Sequence, residues 1–425
     1  MKFPFSLSLN KSALTKILGL FVLLAISAGI GYLIYTLFFK QKVVTPITEV
    51  PQNTGQLPVA GTGTPGTGVT PVTPGLPGAV TIPVTKIPGA PTVSLPSTIA
   101  QGGITKVQTL SYESNMAATL YKDKNNLVSY DKNSGKFYLT SASGQRIALS
   151  DKTFYNVSQV SWSNTATKAI LKYPDGSSLL YDFDKNQQVT LPKTWDEFDF
   201  TPNDDQIVFK ETSTDPSRNW LSIASPDGSS KQTLEPLGSN GNNVTVNVSP
   251  SGQVVGLYST SGGTDKGTVY LLGQNGENFK GLAVKGMGFE SQWSPTGEKM
   301  VYSVYSSETN YKPVLWITDA LGDTIGRNNQ SLSLNTWAYK CTYQSNTTMY
   351  CGVPAYLDDG AGLQPGLSNY IPDNIYKVDM TTGATSLVAI PEEPVTVGSI
   401  SASADGSTLY ITEKNSENVK TIKLK

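Results

Sequence analysis

The sequence predicts an all-β protein, a seven-bladed β-propeller carried behind a transmembrane helix and a disordered Pro/Thr/Gly-rich linker. Three observations predict it. A unit of roughly 40 to 50 residues recurs from about residue 112 to the C-terminus, and each copy reads as four short strands, which is the pattern of a propeller blade. An uncharged run of 23 residues fills positions 17–39 of the 425. Between the two lies a stretch whose composition cannot bury a core.

Taken in chain order, residues 1–16 form a short segment bearing Lys2, Lys11 and Lys16, and residues 17–39 are long enough, at ~1.5 Å per residue, to cross ~30 Å of hydrocarbon as a helix. A cleaved signal peptide would have a shorter apolar core followed by a small-residue site, whereas this run ends in Leu37-Phe38-Phe39-Lys40, so an uncleaved anchor is expected. Lys40 and Lys42 follow it, leaving the charge balance nearly even. The linker and the cysteine pair suit the outside of a cell, so the reading is a cytoplasmic N-terminus with everything beyond residue 42 exported.

Residues 40–101 read as the linker. Positions 43–101 hold eleven prolines and only Glu49 and Lys86 as charges, a composition that favours extended polyproline-like conformers. It suits a stalk, and its Thr clusters suit O-glycan attachment on composition alone.

The propeller is assigned to residues 102–425. Its inner hairpins share an apolar residue, a short Ser/Pro/Gly turn and an apolar strand: Trp162-Ser163-Asn164, Phe200-Thr201-Pro202, Val248-Ser249-Pro250-Ser251-Gly252, Trp293-Ser294-Pro295-Thr296-Gly297 and a weaker Ala402-Ser403-Ala404-Asp405-Gly406. Leu120 and Cys341 are read into the same place in degenerate copies. Outer hairpins fall at 137–149, 179–191, 221–234, 269–282, 315–326 and 375–388, each with apolar alternation around an Asp/Asn/Gly turn. Inner hairpins number seven and outer ones six. The chain ends on a third strand near 419–424, and a spare strand at 104–110 precedes the first repeat, so pairing of these two segments is expected to close the ring.

The inner-hairpin pattern resembles the TolB-type and WD-like propeller repeats of bacterial envelope proteins, over about three quarters of the chain. That resemblance implies a binding scaffold, a periplasmic adaptor or a non-catalytic domain, and is nearly silent on chemistry.

Composition narrows the function classes. The net charge of −1 and the absence of any basic run argue against a nucleic-acid partner. The chain has no histidine, which removes Ser-His-Asp and Cys-His catalysis and His-ligated zinc, and it contains no G-x-S-x-G, P-loop or C-x-x-C. No catalytic residue, metal or cofactor is assigned. Cys341 and Cys351 flank a strand–turn–strand stretch and are expected to form a disulfide across the sixth inner hairpin. The acids Asp196, Glu197, Asp199, Asp204, Asp205, Asp358, Asp359, Glu392 and Glu393 are read as turn or connection residues, and Asp131-Lys132-Asn133-Ser134-Gly135 as a hairpin turn rather than a calcium loop.

The sixth repeat is stretched by residues 354–374 between its second and third strands. An insertion of this length in an economical repeat points to function, and the candidate interaction residues are Tyr356, Leu357, Asp358, Asp359, Tyr370 and Ile371. The loop is expected near 212–220 and 306–314; a self-packed cover is the alternative. The sequence therefore points to a membrane-tethered, extracytoplasmic, non-catalytic binding or scaffolding module for an envelope protein or surface glycan. The rival is a carboxylate-dependent glycosidase or lyase at the axial pocket, which would need a clustered pair of acids there.

Overall fold

A computed structural model describes residues 95–277 and 279–425, together with Ser27, Gly29 and Tyr32, which are helical and exposed. Apart from those three residues, the expected transmembrane helix at 17–39 lies outside the described residues, as does most of the expected linker. Contacts divide the chain into Met1–Lys86 and Ile87–Lys425.

The second unit consists of seven sheets, each a blade, and in five of them four consecutive strands lie side by side in chain order. The seven inner strands are Asn115–Leu120, Gln159–Trp162, Trp195–Phe200, Val244–Val246, Met287–Trp293, Cys341–Ser345 and Val397–Ala402. The second strands, such as Leu127–Asp131 and Lys299–Tyr305, are almost wholly buried, which is why they read as continuous apolar runs rather than alternating ones.

The recurrent turn serine has a direct physical role. Its hydroxyl accepts the backbone N–H that opens the second strand: Lys168 to Ser163 at 3.2 Å, Val254 to Ser249 at 3.0 Å, Lys299 to Ser294 at 3.0 Å and Thr408 to Ser403 at 3.0 Å. The glycine that follows in three copies takes a left-handed conformation, at φ 72° for Gly252, 73° for Gly297 and 65° for Gly406. Trp162, at the end of its inner strand, donates its indole N–H to the Ala117 carbonyl of the preceding blade at 2.7 Å, and Trp293 donates to Asn247 in the same way. The serine thus closes four of the hairpins, and the tryptophan ties two of the blades to the blade before them.

Cys341 departs from the expected register. It opens the sixth inner strand instead of ending it, and the hairpin turn comes at 345–348. The disulfide to Cys351 is nonetheless formed, across directly opposed positions with Cα atoms 4.0 Å apart.

The core is a ring of interfaces. Seven apolar clusters each join two adjacent blades; one brings Ile170 and Leu180 against Trp195, Phe200 and Phe209, and another joins Tyr410 and Val419 of the last blade to Leu127 of the first. No blade could bury its faces alone, so the repeats stand or fall together.

Ring closure is confirmed in part and corrected in part. Gln108–Ser111 completes the last blade by antiparallel pairing with Val419–Lys423. Gly103–Thr105 does not join that sheet; it pairs in parallel with Thr385–Pro391 as a fifth strand of blade 6. Ser97 bridges to Thr105, and the Ala100 N–H donates to the Lys423 carbonyl at 2.8 Å. The chain is therefore held to the ring ahead of residue 102, across the seam between two blades.

Candidate functional site: the loop face and the axial cavity

The connection between Thr348–Pro354 and Asp373–Asp379 carries the long loop and a 3-10 turn, Pro365–Tyr370. Leu357 and Ile371 are buried and pack with Trp337 and Ala361. Two of the six sequence candidates are therefore anchors, unavailable to a partner. Tyr356 and Tyr370 are exposed by 62% and 81%, joined by Leu363 and Leu367, which sequence reading did not single out. Asp358 is exposed, and Asp359 pairs with Lys312 at 3.0 Å.

Backbone N–H groups of Gly360 and Gly362 donate to Asn310 and Tyr311, fixing one end of the loop to the connection at 306–313. Gly362 lies so close to Tyr305 that a Cβ would sit 2.4 Å from its ring, so only glycine fits. Asn415 of the last blade holds the other end through the Asn369 carbonyl, at 2.7 Å. Proximity to 306–314 is as expected; among the described residues none of the loop's hydrogen bonds runs to 212–220.

Beneath the loop, Trp337 leads into the short turn Ala338–Lys340, whose Tyr339 borders a cavity of about 320 Å³ at the ring axis. Blades 4 and 5 supply the rest of its wall: Thr245, Asn247, Phe289, Glu290, Ser291 and Gln292 on or just beyond their inner strands, and Leu257 and Ser259 on the second strand of blade 4, Val254–Ser261. Glu290 is its single lining carboxylate. Although reached by solvent, the carboxyl is walled in by protein, and this desolvation pushes its pKa up while Lys414 pulls it down. Lys414 Nζ lies 5.3 Å from the centre of the Tyr339 ring. Burial, then the charges of Glu290 and Asp373, hold the Tyr339 phenol above its ordinary value.

Immediately behind this wall is a fully buried ion pair. Lys340 Nζ lies 3.0 and 2.8 Å from the two Asp373 oxygens, and Asp373 Oδ2 also accepts the Val397 N–H at 2.7 Å. Desolvation raises the Asp373 pKa and lowers that of Lys340, each opposed by the partner's charge.

The acids of Trp195–Phe200 are corrected in place. Asp196, Glu197 and Asp199 belong to an inner strand, not to a turn, and each is committed to structure. Asp196 pairs with Lys172, Glu197 pairs with Lys210 and accepts the Val246 N–H at 2.9 Å, and Asp199 accepts from Val248 at 2.8 Å and Phe200 at 2.9 Å. Burial drives Asp199 up to about 6 against those two hydrogen bonds. Asp204 accepts from Asn164 and Thr165, Asp205 from Thr201 and Glu392 from Val107, while Glu393 lies 3.8 Å from Lys420. The Asp131 turn closes on its own Asn133 N–H and Ser134 hydroxyl. Among the described residues no group of three His, Cys, Asp or Glu side chains is placed to hold a metal ion.

By contrast, the side chains of Thr245, Ser259, Glu290, Ser291, Gln292 and Tyr339 have no hydrogen-bond or ion-pair partner among the described residues. The cavity wall is polar, aromatic and uncommitted, where the equivalent wall of blade 3 is fully spoken for.

No family model matches the chain, and no curated protein matches it. Solved structures do. The Cps50 (Swd1) β-propeller domain of Myceliophteria thermophila is similar at 9% identity with a TM-score of 0.52, covering 75% of this chain and 100% of that one. An oligogalacturonate lyase in complex with manganese is similar at 12% identity with a TM-score of 0.51, covering 75% of this chain and 93% of that one. Both likenesses establish the seven-bladed propeller fold, and at these identities they speak to fold alone.

Proposed function

We propose that this chain is a membrane-tethered, extracytoplasmic propeller that acts as a non-catalytic binding module for an envelope component, protein or glycan, as the resemblance of its repeats to TolB-type and WD-like propellers implies. The observation that carries the reading is the loop at 355–372. Leu357 and Ile371 anchor it over Trp337, and its backbone is pinned at both ends, so Tyr356, Leu363, Leu367 and Tyr370 are exposed on a braced support. Exposed aromatic and apolar groups held in place bind with little ordering entropy to lose.

The rival in its glycosidase form needs two carboxyl groups roughly 5 to 10 Å apart and free to act. Glu290 stands alone on the axial cavity, and Asp199 and Asp373, the other acids with raised pKa in the inner part of the ring, spend their oxygens on backbone N–H groups and on Lys340. The arrangement favours binding.

Two measurements test the proposal. Lysine labelling of intact cells with a membrane-impermeant reagent should modify the propeller; protection until the cells are lysed would refute the exported orientation. A photo-crosslinker in place of Leu367 should give a defined adduct that disappears when Tyr356, Leu363 and Tyr370 are replaced by Ser. Equal crosslinking from Asp227, on an outer-hairpin turn away from the loop, would refute the site.

A further inference from the structure

We propose that the axial cavity beside Tyr339 is a carbohydrate site that takes the uncharged end of a glycan chain, separate from the exposed loop residues above it. A sugar ring presents two chemistries, an apolar C–H face and a rim of hydroxyls that both donate and accept. The cavity presents the complement of both. Phe289 and Tyr339 supply aromatic surface, and Phe289 is backed by Tyr302 at 5.3 Å between ring centroids, which keeps it in place. The rim is met by hydroxyls of Thr245, Ser259 and Ser291, the Gln292 amide and the Glu290 carboxylate, all without a protein partner among the described residues.

Charge selects among polar ligands. Glu290 is the one acid in the lining, and Lys414, whose Nζ lies 5.3 Å from the centre of the Tyr339 ring, is close enough to perturb it. One acid in the lining with one lysine nearby leaves no cluster of like charge to select an ion, while an ionised Glu290 gives a sugar hydroxyl a charged acceptor, the stronger class of hydrogen bond. A volume of about 320 Å³ falls at the small end of ligand pockets, roughly 300 to 1,000 Å³, and suits a terminal unit with the chain continuing outward. Tyr339, which lines the cavity, also packs against the cluster of Trp337, Leu357, Ala361 and Ile371 that anchors the loop, so the cavity adjoins the base of the loop.

The experiment is a titration of the full-length protein in detergent with N,N′-diacetylchitobiose and, separately, cellobiose, read by saturation-transfer NMR and calorimetry. At least one disaccharide should bind saturably. Glu290→Ala should weaken it by about tenfold, the usual loss for a hydrogen bond to a charged acceptor. Thr245→Trp, which fills the cavity from an exposed position, should abolish it, whereas Tyr370→Ser should leave it unchanged. Preference for chitobiose would assign the site to acetamido sugars, and preference for cellobiose to plain hexoses. Binding by neither disaccharide up to millimolar concentration, or binding untouched by both cavity variants, would overturn the proposal. Should Thr245→Trp perturb the fold, Glu290→Ala decides alone. Because Tyr370→Ser reports only on the loop, failure of the loop as a partner site and failure of the cavity as a sugar site are told apart.

Discussion

Replacing Lys340 by Met should destabilise the ring by about 3 to 5 kcal/mol, the range for stripping one partner from a buried ion pair. The upper half of that range is expected, because the Asp373 carboxylate is wholly shielded and would keep only the Val397 N–H at 2.7 Å. Asp373→Asn keeps an acceptor for Val397 but leaves the ammonium facing a neutral amide, with a similar loss. The double variant Lys340→Met/Asp373→Asn removes both charges and retains the Val397 hydrogen bond, so its loss should be about 1 to 2 kcal/mol, of the order of one altered hydrogen bond. The singles are thus strongly coupled, by at least about 3 kcal/mol. Denaturant unfolding of the full-length protein and the three variants, extrapolated linearly to zero denaturant, gives the cycle. Additive losses, or a Lys340→Met loss under about 1 kcal/mol, would refute the claim that mutual compensation of two desolvated charges holds this junction of blades 6 and 7.

Opening the Cys341–Cys351 bridge frees a loop of ten residues, so Cys341→Ala/Cys351→Ala should lose about 2 to 3 kcal/mol in the loop-entropy account; intact mass after alkylation, with and without reductant, checks the bridge itself. Asp199 has its pKa raised to about 6 from an ordinary 3.8, so it contributes stability that is fully present below about 4 and is lost as pH rises through 6. Asp199→Asn should flatten that decline, worth about 3 kcal/mol between pH 4 and 7, and an unchanged pH profile of unfolding would count against it. Deleting residues 107–111 should lower the melting temperature sharply by exposing Val419–Lys423, whereas deleting 102–106 removes only the fifth strand of blade 6 and should lower it less; equal effects would contradict the seam.

What the sequence disclosed follows from what is local in it. The turn serine, the positive-φ glycine and the alternating outer hairpins each report on a few adjacent residues, and they gave the blades, the closing pair at 108–111 and the opposed cysteines. Contacts between blades were not legible, because partners such as Glu197 and Val246 or Asp199 and Val248 stand 49 residues apart with no shared pattern. For the same reason the acids of blade 3 passed as turn residues, and Glu290 and Tyr339 gave no signal at all. Leu357 and Ile371 looked like binding groups since burial under Trp337 depends on a fold of the loop back onto a distant turn. Gly362, which admits that approach to Tyr305, was the one local sign available. The parallel strand at Gly103–Thr105 escaped because a strand and its continuation were read as one, where the chain crosses between two sheets.

The seam also sets an order of events. Gln108 finds its partner at Thr421, so a strand made ahead of the first blade waits for the third strand of the last blade before its hydrogen bonds are met. Until then every intermediate arc has an uncovered apolar blade face at each end, and the loop that must close between them spans the whole propeller. Blades 1 to 5 can accrete on one another as they emerge, each covering its predecessor's apolar face, but the final step is a single long-range capture in which Gly103–Thr105 and Gln108–Ser111 must both seat. A chain arrested just short of Val419 would carry nearly the whole of its core and still be an open arc, with its edges available to a second copy.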